Sequence, residues 1–251
     1  MLFDLNGFLG PWPFWQVRHQ TPKSVLTLMD RHGIDVLAVC ATRSILSDWK
    51  LGNEETIQAA THNPNRFVAF VSISPILPAS ELVRQLESYK RAGVKGIRLY
   101  PQHQSYSLTG LAGSSVILQK AQELSLPVVL PIRAIMQWGL PELDTGTIEA
   151  VVTRHPRLTF ILSGVNYSKT LWAYDLVRRR HNVSLEISGM QGFRALEDAV
   201  HRIGAEKILF GSGLPLLYPA CSLAKLASAR ITRVEKEAIS GVNARRLLRM
   251  N

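Results

Sequence analysis

Short apolar runs alternate with amphipathic stretches along the whole chain. Eight runs read as strands: Leu2–Asn6, Asp35–Ala41, Phe67–Ile73, Gly96–Tyr100, Val128–Ile132, Leu158–Ser163, Val183–Ile187 and Ile208–Gly211. Each is apolar almost throughout, the pattern of parallel strands covered on both faces. Helical patterns lie between them. Thr21 followed by Pro22 is a good helix start, with a capping hydroxyl and proline at the first helical position. Leu82, Leu86 and Tyr89 share one stripe of a helix predicted over Ala79–Ala92, and Ser114–Leu124, Thr147–Arg154 and Phe193–Ile203 behave similarly. Gly33 and Gly93 stand where a left-handed residue ends a helix. Eight strands alternating with helices over 251 residues predict an α/β fold, a (β/α)8 TIM barrel forming a single domain over residues 1–251. A doubly wound open sheet shares this rhythm, but no G-x-G-x-x-G follows the first strand.

Composition narrows the class. A hydrophobic content of 46% with 19% charged residues suits a soluble globular protein with a large core. The apolar N-terminus carries Asp4 and lacks a basic segment, so it does not read as a signal peptide. No run approaches the roughly 18 apolar residues of a membrane helix. Cys40 and Cys221 stand far apart, without disulfide or metal spacing, and a reducing cytoplasmic location is the simplest expectation. The formal charge of +10 raises the question of nucleic acid. Its basic residues are scattered apart from Arg178–Arg180 and the Arg245, Arg246 and Arg249 group, with no basic stripe interleaved with aromatics. The expectation is a solvated basic surface with no nucleic-acid or membrane partner.

Several segments together resemble the amidohydrolase-related family of metal-dependent barrels, which includes hydrolases, lactonases and decarboxylases. They are Phe3-Asp4-Leu5-Asn6, the run Ala92–Pro101 (AGVKGIRLYP), Leu126-Pro127-Val128-Val129, His155-Pro156-Arg157-Leu158, Ile208–Ser212 (ILFGS) and Glu237–Leu248 (EAISGVNARRLL). They fall in the family's order over nearly the whole chain, and they favour the barrel over the open sheet. The resemblance implies a metal held by an Asp-x-His-x-His first strand, histidines after strands five and six, and an eighth-strand aspartate that also moves protons. Here those positions read Asp4-Leu5-Asn6-Gly7-Phe8, Pro131, Ser163-Gly164 and Gly211-Ser212-Gly213-Leu214-Pro215. A hydrolytic metal needs about three or four imidazole or carboxylate ligands. The expectation is therefore no metal ligand set and no cofactor.

Side chains at the C-terminal ends of barrel strands build the active site of this fold. Asp4, His103 and Glu186 are the catalytic candidates, and Arg98, Arg133, Tyr100 and Asn6 the substrate-binding ones. Guanidinium groups at Arg98 and Arg133 suit a carboxylate or phosphate, and equally suit internal pairing with Asp4 or Glu186. Asp4 is a retained ligand, an acid/base or a counter-ion. Glu186, in an apolar strand, is either a buried acid or an arginine partner. His103 lies in a loop that should overhang the mouth; His19 has weaker support, and His155 belongs to the opposite face. The aromatic segment Gly10–Trp15 is a pocket wall, a cover for the mouth or a surface for a second subunit. No G-x-S-x-G elbow or phosphate loop occurs.

Three readings follow, the third being a metal held by unconventional ligands at a displaced site. The first is a hydrolase or lyase acting on a small carboxylated substrate without the family's metal centre. The second is a catalytically inactive descendant that binds a small anionic molecule or serves in assembly, homo-oligomers included. An open polar mouth favours the first, and a mouth filled by Phe8, Trp12 or Phe14 speaks against turnover.

Overall fold

The computed structural model describes residues 1–135 and 139–250. All eight predicted strands form: β1 (Phe3–Leu9), β2 (Val36–Ala41), β3 (Phe67–Ser72), β4 (Gly96–Arg98), β5 (Val128–Pro131), β6 (Phe160–Ser163), β7 (Val183–Glu186) and β8 (Ile208–Leu209). They pair in parallel in sequence order. Hydrogen bonds from Leu5 N–H to the Phe210 carbonyl and from Phe8 N–H to the Leu214 carbonyl, 2.9 and 2.8 Å, join β1 to the segment after β8. The result is the (β/α)8 barrel that the rhythm predicts.

The predicted helices form as α1 (Pro22–His32), α4 (Ala79–Arg91), α6 (Ala112–Glu123), α7 (Thr145–Arg154) and α9 (Ala195–Ile203). The remaining helices are α2 (Arg43–Leu46), α3 (Trp49–His62), α5 (Pro101–Gln104), α8 (Thr170–Arg179), α10 (Pro219–Ser228), α11 (Arg233–Glu237) and α12 (Asn243–Leu247). Thr21 caps α1 through the Ser24 amide, and Gly33 ends it with φ 65°. Gly93 is left-handed after α4, as its position predicts.

Two apolar layers result. One fills the barrel, where Phe3, Leu5, Ala38, Phe70, Val129, Ile161 and Leu209 meet, and Ala244 and Leu248 close the bottom. The other lies between strands and helices, with Leu82, Leu86, Ile97, Ile117, Val128 and Phe160 among its members.

Strand β1 runs three residues beyond its predicted end because it contains a bulge. Its register against β2 slips between Asp4 and Gly7. A bulge re-aims the side chains around it. Gly7 is needed there, since a Cβ would lie 2.4 Å from the Leu37 side chain.

Candidate functional site

At the mouth of the barrel the strand ends carry polar side chains, and these bind one another. Asn6, from the bulged part of β1, is the hub. Its Oδ1 accepts from Arg98 Nη1 at 3.0 Å. Its Nδ2 donates to Ser188 Oγ at 3.1 Å, Ser163 Oγ at 3.3 Å and Glu186 Oε1 at 3.4 Å. Glu186, at the end of β7, also receives Ser163 Oγ, Ser188 Oγ and the Ser188 N–H at 2.7 Å each, and the Gly164 N–H at 3.1 Å. Five hydrogen bonds thus fall on one buried carboxylate. Gly211 makes room for it, because a Cβ there would lie 2.1 Å from Glu186 Oε2.

Arg98 is 1% exposed. Its Nη2 donates to the Leu5 and Ala38 carbonyls, both at 3.1 Å. The guanidinium lies 5.1 Å from the Phe8 ring centre and 5.7 Å from that of Phe70, within cation–π range. The sequence offered Asp4 or Glu186 as its ion partner. Neither pairs with it; an amide oxygen and two backbone carbonyls do, because Asn6 stands between Arg98 and Glu186. Arg133 likewise departs from that pairing: its Nη2 meets Glu142 at 2.9 Å, and the other oxygen of Glu142 meets Lys169 at 3.6 Å.

Asp4 joins β1 to the chain after β8. Its Oδ1 accepts the N–H groups of Asn6 and Ser212 at 3.0 Å each, and its Oδ2 accepts the Ser212 hydroxyl. Burial pushes the Asp4 carboxyl up to about 7; these hydrogen bonds oppose the rise, and the charge of Glu186 adds to it. Such a value suits an acid that exchanges protons near neutrality.

Above this polar layer lies an apolar roof. Phe8, Trp12, Val17, Cys40, Ile45, Tyr100, Ile135, Leu140 and Leu216 form one buried cluster drawn from the loops and ends of five strands. Trp12 is anchored against Phe14 and Trp15, with ring centres 5.5 and 5.9 Å away. Phe8 and Trp12 thus fill the mouth, while Phe14 is half exposed.

The roof and the layer below it contain donors with nothing to donate to. Trp12 Nε1, Arg98 Nε and the Tyr100 hydroxyl are buried and find no acceptor among the described residues, and the Tyr100 oxygen faces the Arg98 guanidinium. Burial raises the Tyr100 hydroxyl well above the usual phenol range, while the nearby Arg98 charge opposes the rise. Buried polar atoms are almost always paired, so such a group calls for a partner.

His103 sits apart. It lines a cavity of about 210 Å³ with Ser44, Ser74 and Gln104, under the loops after β2 and β3. Its Nε2 is buried without a partner among the described residues, and burial lowers its pKa. Ser163, Ser188 and Ser212 stand at strand ends, where the sequence already places mouth residues, but no periodic signal tells which partners they take.

The sequence profile of the amidohydrolase family matches residues 14–250. Solved structures share the fold. A 5-carboxyvanillate decarboxylase from Sphingomonas paucimobilis is 15% identical at a TM-score of 0.77, covering 100% of this chain and 99% of that one. A 2,6-dihydroxybenzoate decarboxylase from Rhizobium is 18% identical at 0.74, covering 99% and 98%. A 5-carboxyvanillate decarboxylase from Novosphingobium aromaticivorans, complexed with manganese and a nitrobenzoic acid, is 14% identical at 0.77, covering 100% and 96%. No curated protein matches the sequence.

The described residues do not fit a divalent metal at the barrel mouth. Among them, no three His, Cys, Asp or Glu side chains gather to hold an ion. Five donors point at Glu186 and three at Asp4, occupying the lone pairs a metal would need. The Asn6 amide oxygen is taken by a guanidinium.

Proposed function

This chain belongs to the amidohydrolase family, and on that premise we propose that its barrel mouth takes a small carboxylated molecule without a metal centre. One observation carries the reading: Trp12 Nε1 and the Tyr100 hydroxyl are buried in the cluster that roofs the mouth, beside the Arg98 guanidinium, with no acceptor among the described residues. A carboxylate supplies acceptors in the number and charge those groups call for, and a guanidinium is well suited to it. The decarboxylases that share the fold act on small aromatic acids, which supports the same ligand class.

Binding without turnover is the first fate of that molecule, favoured by the roof of Phe8 and Trp12. Hydrolase or lyase chemistry is the second, favoured by Asp4. A carboxyl near 7 would deliver a proton to the carbon or oxygen left by bond cleavage, with Arg98 holding the acid.

The test is thermal denaturation in the presence of benzoate, 2,6-dihydroxybenzoate, succinate and their amides. A ligand bound only by the folded state raises the melting temperature. The acids should stabilise and the neutral amides should not, with the shift reduced in Tyr100→Phe. Equal shifts for acids and amides, or none, would overturn the proposal. Elemental analysis after purification in metal-free buffer should give far less than one zinc, iron or manganese per chain.

A further inference from the structure

Lysine side chains are usually surface ammonium groups paired with carboxylates or water. Lys50, Lys120 and Lys169 follow that rule, each within ion-pair distance of a glutamate. Lys225 does not. It stands on α10, largely withdrawn from solvent, and its Nζ donates to the Ile187 carbonyl at 2.6 Å, just past the end of β7. No carboxylate lies within ion-pair distance of it among the described residues. Glu186 is the nearest acidic influence, and both its oxygens are already engaged by the central network.

The same lysine lines a cavity of about 470 Å³, which opens between the loop after β7 and α10. Its other walls include Met190, Phe193, Ser228, Arg194, Arg230 and Glu197. Glu197 is already occupied, accepting the Arg230 N–H at 3.1 Å and lying 3.7 Å from Arg194. The cavity is therefore lined by a lysine with no carboxylate partner among the described residues, two guanidinium-bearing side chains and apolar contacts. It is separate from the mouth, being lined by none of Asp4, Asn6, Arg98 or Tyr100.

We propose that Lys225 is a nucleophilic amine that condenses with the carbonyl group of a small anionic aldehyde or keto acid held in this cavity. The neutral amine attacks the carbonyl carbon, forming the N–C bond as the carbonyl electron pair moves to oxygen. That oxygen takes a proton and the nitrogen loses one, giving a carbinolamine. Loss of water then leaves the imine, with no oxidant or reductant required. Withdrawal from water lowers the pKa of Lys225, which enlarges the fraction of amine able to attack; the Glu186 and Cys221 charges oppose that shift without cancelling it. Arg230 and Arg194 suit the anionic end of the partner. The proposal is independent of the ligand assigned to the mouth.

The experiment is reductive trapping of the full chain with glyoxylate and cyanoborohydride at pH 7.5, read by peptide mass mapping. The chain has nine lysines that compete internally. Lys225 should be modified first, before the more exposed Lys23 and Lys236, and Lys225→Arg should abolish that early adduct. Arg230→Ala should slow trapping of glyoxylate while leaving trapping of uncharged propionaldehyde unchanged. Modification that simply follows exposure, with Lys225 late or untouched in the unaltered protein, would overturn the proposal whatever the variants do. Equal slowing of both aldehydes in Arg230→Ala would remove the anionic part of it.

Discussion

Replacing Asp4 by asparagine separates the cost of burying a charge from the value of the contacts around it. Asp4 has no exposed surface. Its carboxyl stands near 3.8 in the unfolded chain and is pushed to about 7 in the fold, chiefly by burial. Between those values the folded state holds a proton that the unfolded state has lost. Stability from this group is therefore complete below about pH 3.8, declines as pH rises, and levels off above about 7. The full decline corresponds to about 4 kcal/mol. Asparagine preserves the geometry: its oxygen accepts the Asn6 and Ser212 N–H groups, and its amide donates to the Ser212 hydroxyl. It carries no charge at any pH, so the decline disappears. Urea unfolding of both proteins at pH 5 and pH 8 measures the effect. The variant should gain on the parent by about 3 kcal/mol between the two pH values, the part of the titration that falls in that window. Parallel pH profiles would refute the burial account. So would a variant weaker than the parent by a similar amount at both, which would mean that contacts outweigh charge.

Three further substitutions probe the same layer. Glu186→Gln keeps the shape but turns an amide NH2 toward one of five donors, and should cost about 3 kcal/mol in chemical denaturation, through one lost charged hydrogen bond and one stranded donor. Gly211→Ala places a methyl group against Glu186 and should lower stability by about 2–4 kcal/mol, with Glu186→Ala in the same chain recovering part of the loss. Tyr100→Phe removes a hydroxyl that finds no acceptor among the described residues, so unliganded stability should hold or rise by about 1 kcal/mol; a loss above that would mean the hydroxyl is satisfied in solution.

The barrel was legible because its strands are covered on both faces, and continuous apolar runs survive any detail of register. Helices α2 and α3 escaped the same reading. The buried face of α3 is Gly52, Asn53, Thr56 and Ala59, small and polar residues that leave no apolar stripe. Asn53 is buried there because its side chain bonds the backbone of Ser72 in both directions, a long-range role with no local signature. At the mouth, the polar strand ends could be read residue by residue, and Asp4, Asn6, Arg98 and Glu186 do lie in one layer. Their partners could not be read. A bulge in β1 decides where Asn6 points, and that depends on Gly7 fitting beneath Leu37. The roof was open for a similar reason: Gly10–Trp15 had three possible destinations in sequence, and only packing selects the mouth for Trp12.

The roof has a kinetic consequence. Phe8 and Trp12 are almost wholly buried, so a molecule reaching Arg98 must wait for part of the cover to lift. Association then proceeds through a rare open form, and its observed rate levels off at the opening rate as ligand concentration rises. Departure waits on the same motion. A ligand of modest affinity would consequently be slow in both directions, and brief mixing would register little binding where overnight equilibration registers saturation.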